Sequence, residues 1–240
     1  MIKIFYKYSH LLPPLIQVVL RNFFGRNKER ELSVLKSIIK KGDVAVDVGA
    51  HLGIYTYKLR KLVGKNGTVI GFEPQFELFH YLSLAFKVFK NVSIINSAAH
   101  NVNSTKFLYT PIHNSSKATG GASLKKRSIN NEITKITTIK IDSLNLARCS
   151  FIKIDVEGGE LSVLEGSLKT LSIFHPALLI EIDFTLSGKN VAGTVNLLKR
   201  LKYQPFVIER NAFISLDYKE FKTIAVNRKF GRDTLNFFFI

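Results

Sequence analysis

The amino-acid sequence predicts a doubly wound α/β domain with a mostly parallel sheet. Three observations predict it. Short apolar runs recur between turn residues, segments with apolar residues at helical spacing separate them, and the first run opens through a glycine-bearing turn into a helix. The 240 residues suit one core. With 46% hydrophobic and 22% charged residues, a sheet covered on both faces can be filled, and a chain disordered throughout is excluded.

Residues 1–41 read as an N-terminal helical extension and residues 42–240 as the main domain. The apolar run 11–20 is interrupted by Pro13 and Pro14, and it falls short of the roughly 20 apolar residues a membrane span needs. No small-residue cleavage site follows it, so a secretory signal is not expected. After Pro14, residues Leu15, Ile16, Val18, Val19, Phe23 and Phe24 alternate with Arg21, Arg26 and Lys28 at helical spacing. Such a helix packs on the domain or a partner subunit, or lies on a membrane surface.

Val44-Ala45-Val46 can be buried on both faces, as a central parallel strand requires. A turn over 47–53 and a helix over 54–63 follow, and Gly64-Lys65-Asn66-Gly67 stops the helix with residues that tolerate positive φ. Next come a strand over 68–72 closed by Glu73-Pro74, a helix over 76–89 and a strand over 91–96. This βαβαβ succession implies right-handed crossovers and ligand binding beyond the carboxyl ends of the strands. Further strands are expected over 151–154, 177–182, 205–208 and 235–240, with helices over 160–171 and 195–203. Residues 102–140, rich in Ser, Asn, Thr, Gly and Lys, interrupt the alternation. Short strands at 106–110 and 135–141 would flank a flexible centre, 112–131, acting as a lid or recognition segment or forming a surface insertion.

Thirty-five Lys and Arg against 18 Asp and Glu give a net charge of +17, which draws a protein toward nucleic acid, anionic lipid or acidic glycan. The basic residues are scattered, so charge alone selects no partner. A single cysteine, Cys149, excludes an internal disulfide, and no Cys/His spacing suits zinc. A reducing cytoplasm fits, and Cys149, just before an apolar strand, reads as a buried structural thiol.

Chemistry concentrates in three places. In Val46-Asp47-Val48-Gly49-Ala50-His51-Leu52-Gly53 the glycine spacing is GxxxG behind an acid, where a dinucleotide fingerprint would be GxGxxG. Gly49 and Gly53 let a ligand approach backbone, and Asp47 repels phosphate but attracts an amino or sulfonium group. Glu73, closing the second strand, can accept both hydroxyls of a ribose, or cap the next helix. Ser97 and Ala98 would then lie near the adenine. The third place is Lys153-Ile154-Asp155-Val156-Glu157-Gly158-Gly159-Glu160, whose clustered acids carry a desolvation cost that suggests a task. Asp155 and Glu157 are the candidate general bases, with His113 in the insertion as a rival, while Glu160 reads as a first-turn helix residue. No metal site is assigned; a divalent ion shared by Asp155 and Glu157 is the lesser reading.

VDVGAHLG, GFEP, KIDVEGGE and Leu179-Ile180-Glu181-Ile182 resemble the ordered motifs of the FkbM family of methyltransferases over residues 42–182. The resemblance implies a Rossmann-like class I methyltransferase sheet of seven strands, the last antiparallel, with S-adenosyl-L-methionine as cofactor. It also implies O-methylation of sugar hydroxyls in glycans or of natural products, hence polysaccharide biosynthesis. Asp47, Gly49, Ala50, His51 and Gly53 would line the methionine side, and Glu73 would take the ribose. His51 stands where the family more often has Asn and could titrate near neutrality. Ser97 stands where class I enzymes often place an adenine-binding acid.

The partner expected is a small-molecule or glycan acceptor, with peripheral contact to anionic membrane at the inner surface of a cytoplasmic enzyme. An RNA methyltransferase is the rival, opposed by the lack of an Asn-Pro-Pro-aromatic motif and of an RNA-binding appendage. A non-catalytic basic module on the same fold, binding membrane or glycan, is the other. The intact glycine turn, Glu73 and the acid cluster favour an enzyme.

Overall fold

The computed structural model describes residues 12–24, 30–113, 116–126, 128–182, 190–227 and 236–240. Two helices, α1 (Pro14–Phe24) and α2 (Arg30–Ile38), precede the alternating elements β1 (Val44–Val48), α3 (Ile54–Val63), β2 (Thr68–Phe72), α4 (Phe76–Phe86) and β3 (Val92–Ile95). An inserted arm holds β4 (Ala98–Ala99), β5 (Ser104–His113), β6 (Ser116–Lys117), a short 3-10 turn Thr119–Gly121 and β7 (Asn131–Ile139). The chain then returns through β8 (Phe151–Ile154), α5 (Glu160–Glu165), α6 (Leu168–Phe174), β9 (Ala177–Glu181), α7 (Asn190–Arg200), β10 (Pro205–Glu209), β11 (Ala212–Ser215), α8 (Tyr218–Asn227) and β12 (Asn236–Phe239).

The main sheet runs β11-β10-β12-β9-β8-β1-β2-β3. Neighbours from β9 through β8, β1 and β2 to β3 are parallel, and β12 is antiparallel to both β9 and β10. The sheet thus has eight strands where seven were expected. The additional one, β11, folds back antiparallel on β10 through Arg210 and Asn211, both at positive φ. Two such residues make the kind of tight turn that a hairpin needs.

Successive strand residues serve opposite faces. Val46, Val48, Leu178, Ile180, Phe237 and Phe239 join the large cluster with Leu164, Leu171, Val195, Leu198 and Phe221. Ala45, Leu179 and Phe238 join Leu35, Leu59 and Val63 on the other side. This two-sided burial is why these strands are nearly continuous apolar runs.

Helix α1 packs on α3 and α4, so the packing alternative is the one realised for this segment. Val18 is fully buried with Ala50, Leu82, Ala85 and Phe86, and Arg21 donates to the Tyr81 hydroxyl at 3.1 Å. Arg26 and Lys28 lie outside the described residues. Among the described residues no helix is long and apolar enough to cross a membrane. Cys149 is buried, and burial pushes its thiol up to about 12, which leaves it unreactive near neutrality.

The helix expected over 160–171 is interrupted at Gly166 and Ser167. A Cβ on Gly166 would stand 2.0 Å from the His100 carbonyl oxygen, and the Ser167 hydroxyl donates back to the Val163 carbonyl at 2.6 Å. The arm's strands are longer than expected, pairing Ser104–Pro111 against Thr138–Asn131, and its centre is partly ordered by β6, the short turn and a Tyr109–Ser123 bridge.

Candidate active site

The carboxyl ends of β1, β2, β8 and β9 open into a cleft of about 480 Å³, roofed by the arm. Val48, Gly49 and His51 come from the first turn, Glu73, Pro74 and Gln75 from the second strand's end, and Asp155, Val156 and Glu157 from the turn after β8. A cleft beyond the strand ends is where this topology brings ligands.

Glu73 sits at the wall of the cleft, almost fully buried. One carboxylate oxygen accepts the His51 backbone N–H at 2.9 Å and the other accepts the Gln75 N–H at 3.0 Å. Burial raises its pKa to about 7, against the lowering effect of those two donors. The carboxyl is therefore fixed in direction by two strand-end turns, with lone pairs left for a ligand.

Gly49 has φ +82°, and a Cβ there would meet the Asp155 carbonyl oxygen at 2.0 Å. Its need for glycine comes from the neighbouring strand end as much as from any ligand. Gly53 differs from the expectation of a ligand approach. Its missing Cβ faces Leu82 and Phe86, so it admits α4, and neither Gly53 nor Ala50 lines the cleft.

Asp47 lies one layer behind the cleft and does not line it. It is fully buried: Oδ2 accepts from the Thr56 hydroxyl at 2.6 Å, and Oδ1 has no hydrogen-bond partner among the described residues. Burial raises its pKa, opposed by the Lys153 ammonium. Ser97 is likewise turned away, its hydroxyl 2.5 Å from that of Thr137, whereas Ala98 does line the cleft.

His51 is in the cleft with its ring Nε2 3.1 Å from the Thr119 hydroxyl. Burial lowers its pKa, against the raising effect of the Asp155 charge, and so favours the neutral ring. Gln75 donates to the Thr119 carbonyl at 3.0 Å, and the Ser123 hydroxyl to the Glu157 carbonyl at 3.0 Å, so the arm's tip is tied down on both sides.

Asp155 keeps 34% of its side-chain surface exposed and receives the Lys153 ammonium at 2.8 Å. Burial would raise its pKa, but Lys153 outweighs it and holds the carboxyl below its usual range. Lys153 itself is almost fully buried, with its ammonium 4.6 Å from the centre of the Tyr55 ring. On the next strand Glu181 faces the same cleft, one register step beyond the Ile154–Ile180 pair. Burial, then the Asp155 charge, pushes Glu181 up to about 8.

Glu157 lines the cleft from a positive-φ position, with φ 49°. Glu160 is a helix-start residue as expected, accepting the Gly158 N–H at 2.6 Å. His113 closes β5, and its side chain lies outside the described residues. Among the described residues no group of three or more His, Cys, Asp or Glu could hold a metal ion. Sequence reasoning missed Glu181, Lys153, Gln75 and Thr119 as site residues. Glu181 had a usable signal, an acid ending a fully apolar strand.

A sheet in this order with its last strand, β12, reversed between β9 and β10, a glycine turn after β1 and an acid closing β2 define a class I, S-adenosylmethionine-dependent methyltransferase. The family model described as the methyltransferase FkbM domain matches residues 47–208, and the chain belongs to that family. The FkbM methyltransferase from Methylobacillus flagellatus KT is similar in structure, with 18% identity and a TM-score of 0.52 over 84% of this chain and 44% of that one. This chain thus spans less than half of that protein. A putative rRNA-methylase from Clostridium thermocellum is similar at 14% identity and a TM-score of 0.51, over 88% and 91% of the two chains. At such identities these likenesses show the fold alone. No curated protein matches the chain in sequence.

Proposed function

We propose that the chain O-methylates a hydroxyl of a sugar, glycan or related small metabolite, with Asp155 and Glu181 receiving the hydroxyl proton as a pair. The observation that carries this reading is two cleft-lining carboxyls on adjacent parallel strands, Asp155 held below its usual range by Lys153 and Glu181 pushed up by burial. A sugar hydroxyl is too weak an acid to ionise unaided, so a positioned base is the group its methylation needs.

S-adenosylmethionine, when bound, supplies the methyl group on a cationic sulfonium. The cleft suits it: Glu73, Asp155, Glu157 and Glu181 line it together with Lys106 and Lys125, and the Asp155 carboxylate, held ionised by Lys153, offers a negative group to the sulfonium. Glu73 would accept the ribose hydroxyls, with Pro74 and Ala98 beside the base. Asp155 would orient the acceptor hydroxyl and take its proton as the methyl leaves sulfur for the hydroxyl oxygen.

Incubation of the chain with methyl-labelled cofactor and whole-cell glycan, small-metabolite, lipid and RNA fractions tests this reading. Label is expected in the glycan or small-metabolite fraction, and label confined to RNA would overturn it. A second expectation concerns Glu73. Ribose hydroxyls donate to the ionised carboxylate, so bound cofactor favours loss of the Glu73 proton, and affinity rises with pH. With a pKa of about 7, the ionised fraction climbs from about a tenth at pH 6 to about nine-tenths at pH 8. Calorimetry should therefore find binding about tenfold tighter at pH 8 than at pH 6 in the wild type, and a flat, weaker profile in Glu73→Gln.

A further inference from the structure

We infer that a second cleft, at the sheet edge opposite the active site, binds a phosphate-bearing anion. It has a volume of about 490 Å³ and is lined by Arg60, Lys61, Gly64, Lys65, Val88, Phe89, Lys90 and Asn91. These residues come from the end of α3 and from the turns that lead into β2 and β3, at the amino ends of those strands. Four cationic side chains meet there with no carboxylate in the lining.

A helix C-terminus attracts cations by itself, so Arg60 and Lys61 could merely face the terminal carbonyls of α3. Those carbonyls are already occupied. Gly64 N–H donates to Arg60 O, Lys41 Nζ to Lys61 O, Gly42 N–H to Val63 O, and Asn91 Nδ2 to Gly64 O. Capping also leaves Lys65 and Lys90 unexplained.

The Arg60 guanidinium lies over the Phe89 ring, 3.6 Å from its centre, which fixes its plane against the cleft wall. Its Nε is buried and finds no acceptor among the described residues. An unmet buried donor on a cation is costly, and an oxyanion in the cleft is the acceptor that the chain does not supply. A phosphate group matches the oriented guanidinium with flanking ammonium groups, whether it belongs to a soluble phosphorylated compound or to a lipid headgroup.

The test uses the full chain, inorganic pyrophosphate in calorimetry, and flotation with phosphatidylglycerol-containing or pure phosphatidylcholine vesicles. The site variant carries Lys61→Gln, Lys65→Gln and Lys90→Gln, all at exposed positions. A control with the same change in charge carries Lys135→Gln, Lys169→Gln and Lys219→Gln, exposed elsewhere. Binding of pyrophosphate, of the anionic vesicles or of both is expected, weakened about tenfold in the site variant and within about twofold of wild type in the control. Pyrophosphate binding alone would identify a soluble phosphate compound, and vesicle binding alone a headgroup. Absence of binding to both probes, retention by the site variant, or equal losses in both variants would overturn the inference.

Discussion

Gly49→Ala is expected to lower the stability of the chain by about 4 kcal/mol and to abolish cofactor binding. Two costs add. The left-handed backbone at φ +82° penalises any Cβ by about 1–2 kcal/mol, and the new methyl would stand 2.0 Å from the Asp155 carbonyl oxygen. That oxygen belongs to backbone at the end of β8, so relief requires moving a strand end, for which overpacking costs of about 1–3 kcal/mol are typical. In a chain of this size the melting temperature should fall by about 10 °C. Gly42→Ala is the control, since Gly42 has a similar φ of +88° and nothing within 4 Å of the added carbon. Equal melting shifts for the two variants would refute the steric account.

Asp155→Asn is expected to reduce methyl transfer into the acceptor fraction by about 10²–10⁴-fold, the usual worth of a positioned general base. Cofactor affinity should stay within about threefold, because the ribose contact proposed for Glu73 is on the far side of the β1 turn. The amide still fills the space, but it cannot take a proton. Glu181→Gln leaves Asp155 ionised beside Lys153 and should cost less. A rate for Asp155→Asn within tenfold of wild type, with cofactor binding intact, would remove Asp155 from the base role.

The central fold was legible because burial on both faces forces Val44–Val48, Phe151–Ile154 and Ala177–Glu181 to be apolar almost throughout. The hairpin that adds β11 was not, because its turn uses Arg210 and Asn211 at positive φ where a glycine would have signalled it. The break between α5 and α6 depends on the His100 backbone, more than sixty residues away in the chain, and no local pattern reports it.

The site was legible unevenly. Glu73, Gly49, His51, Ala98, Asp155 and Glu157 converge on one cleft, as their positions at strand ends implied. Asp47 and Gly53 belong to the same motif but serve the packing behind it, through Thr56 in one case and Leu82 and Phe86 in the other. Spacing along the chain does not distinguish a turn's ligand side from its buried side. Glu181 was hidden for a related reason: its relation to Asp155 exists only through the register of β8 and β9.

The tie between the arm and the sheet bears on turnover. The tip around Thr119 is anchored by His51, Gln75 and the Glu157 carbonyl, and by an exposed ion pair from Lys117 to Glu77 at 3.2 Å. Each polar tie of this kind is worth about 0.5–1.5 kcal/mol net, and the exposed ion pair less. Unlatching the tip therefore costs only a few kcal/mol. A clasp held by so few polar ties can open and close without disturbing the apolar interior beneath it.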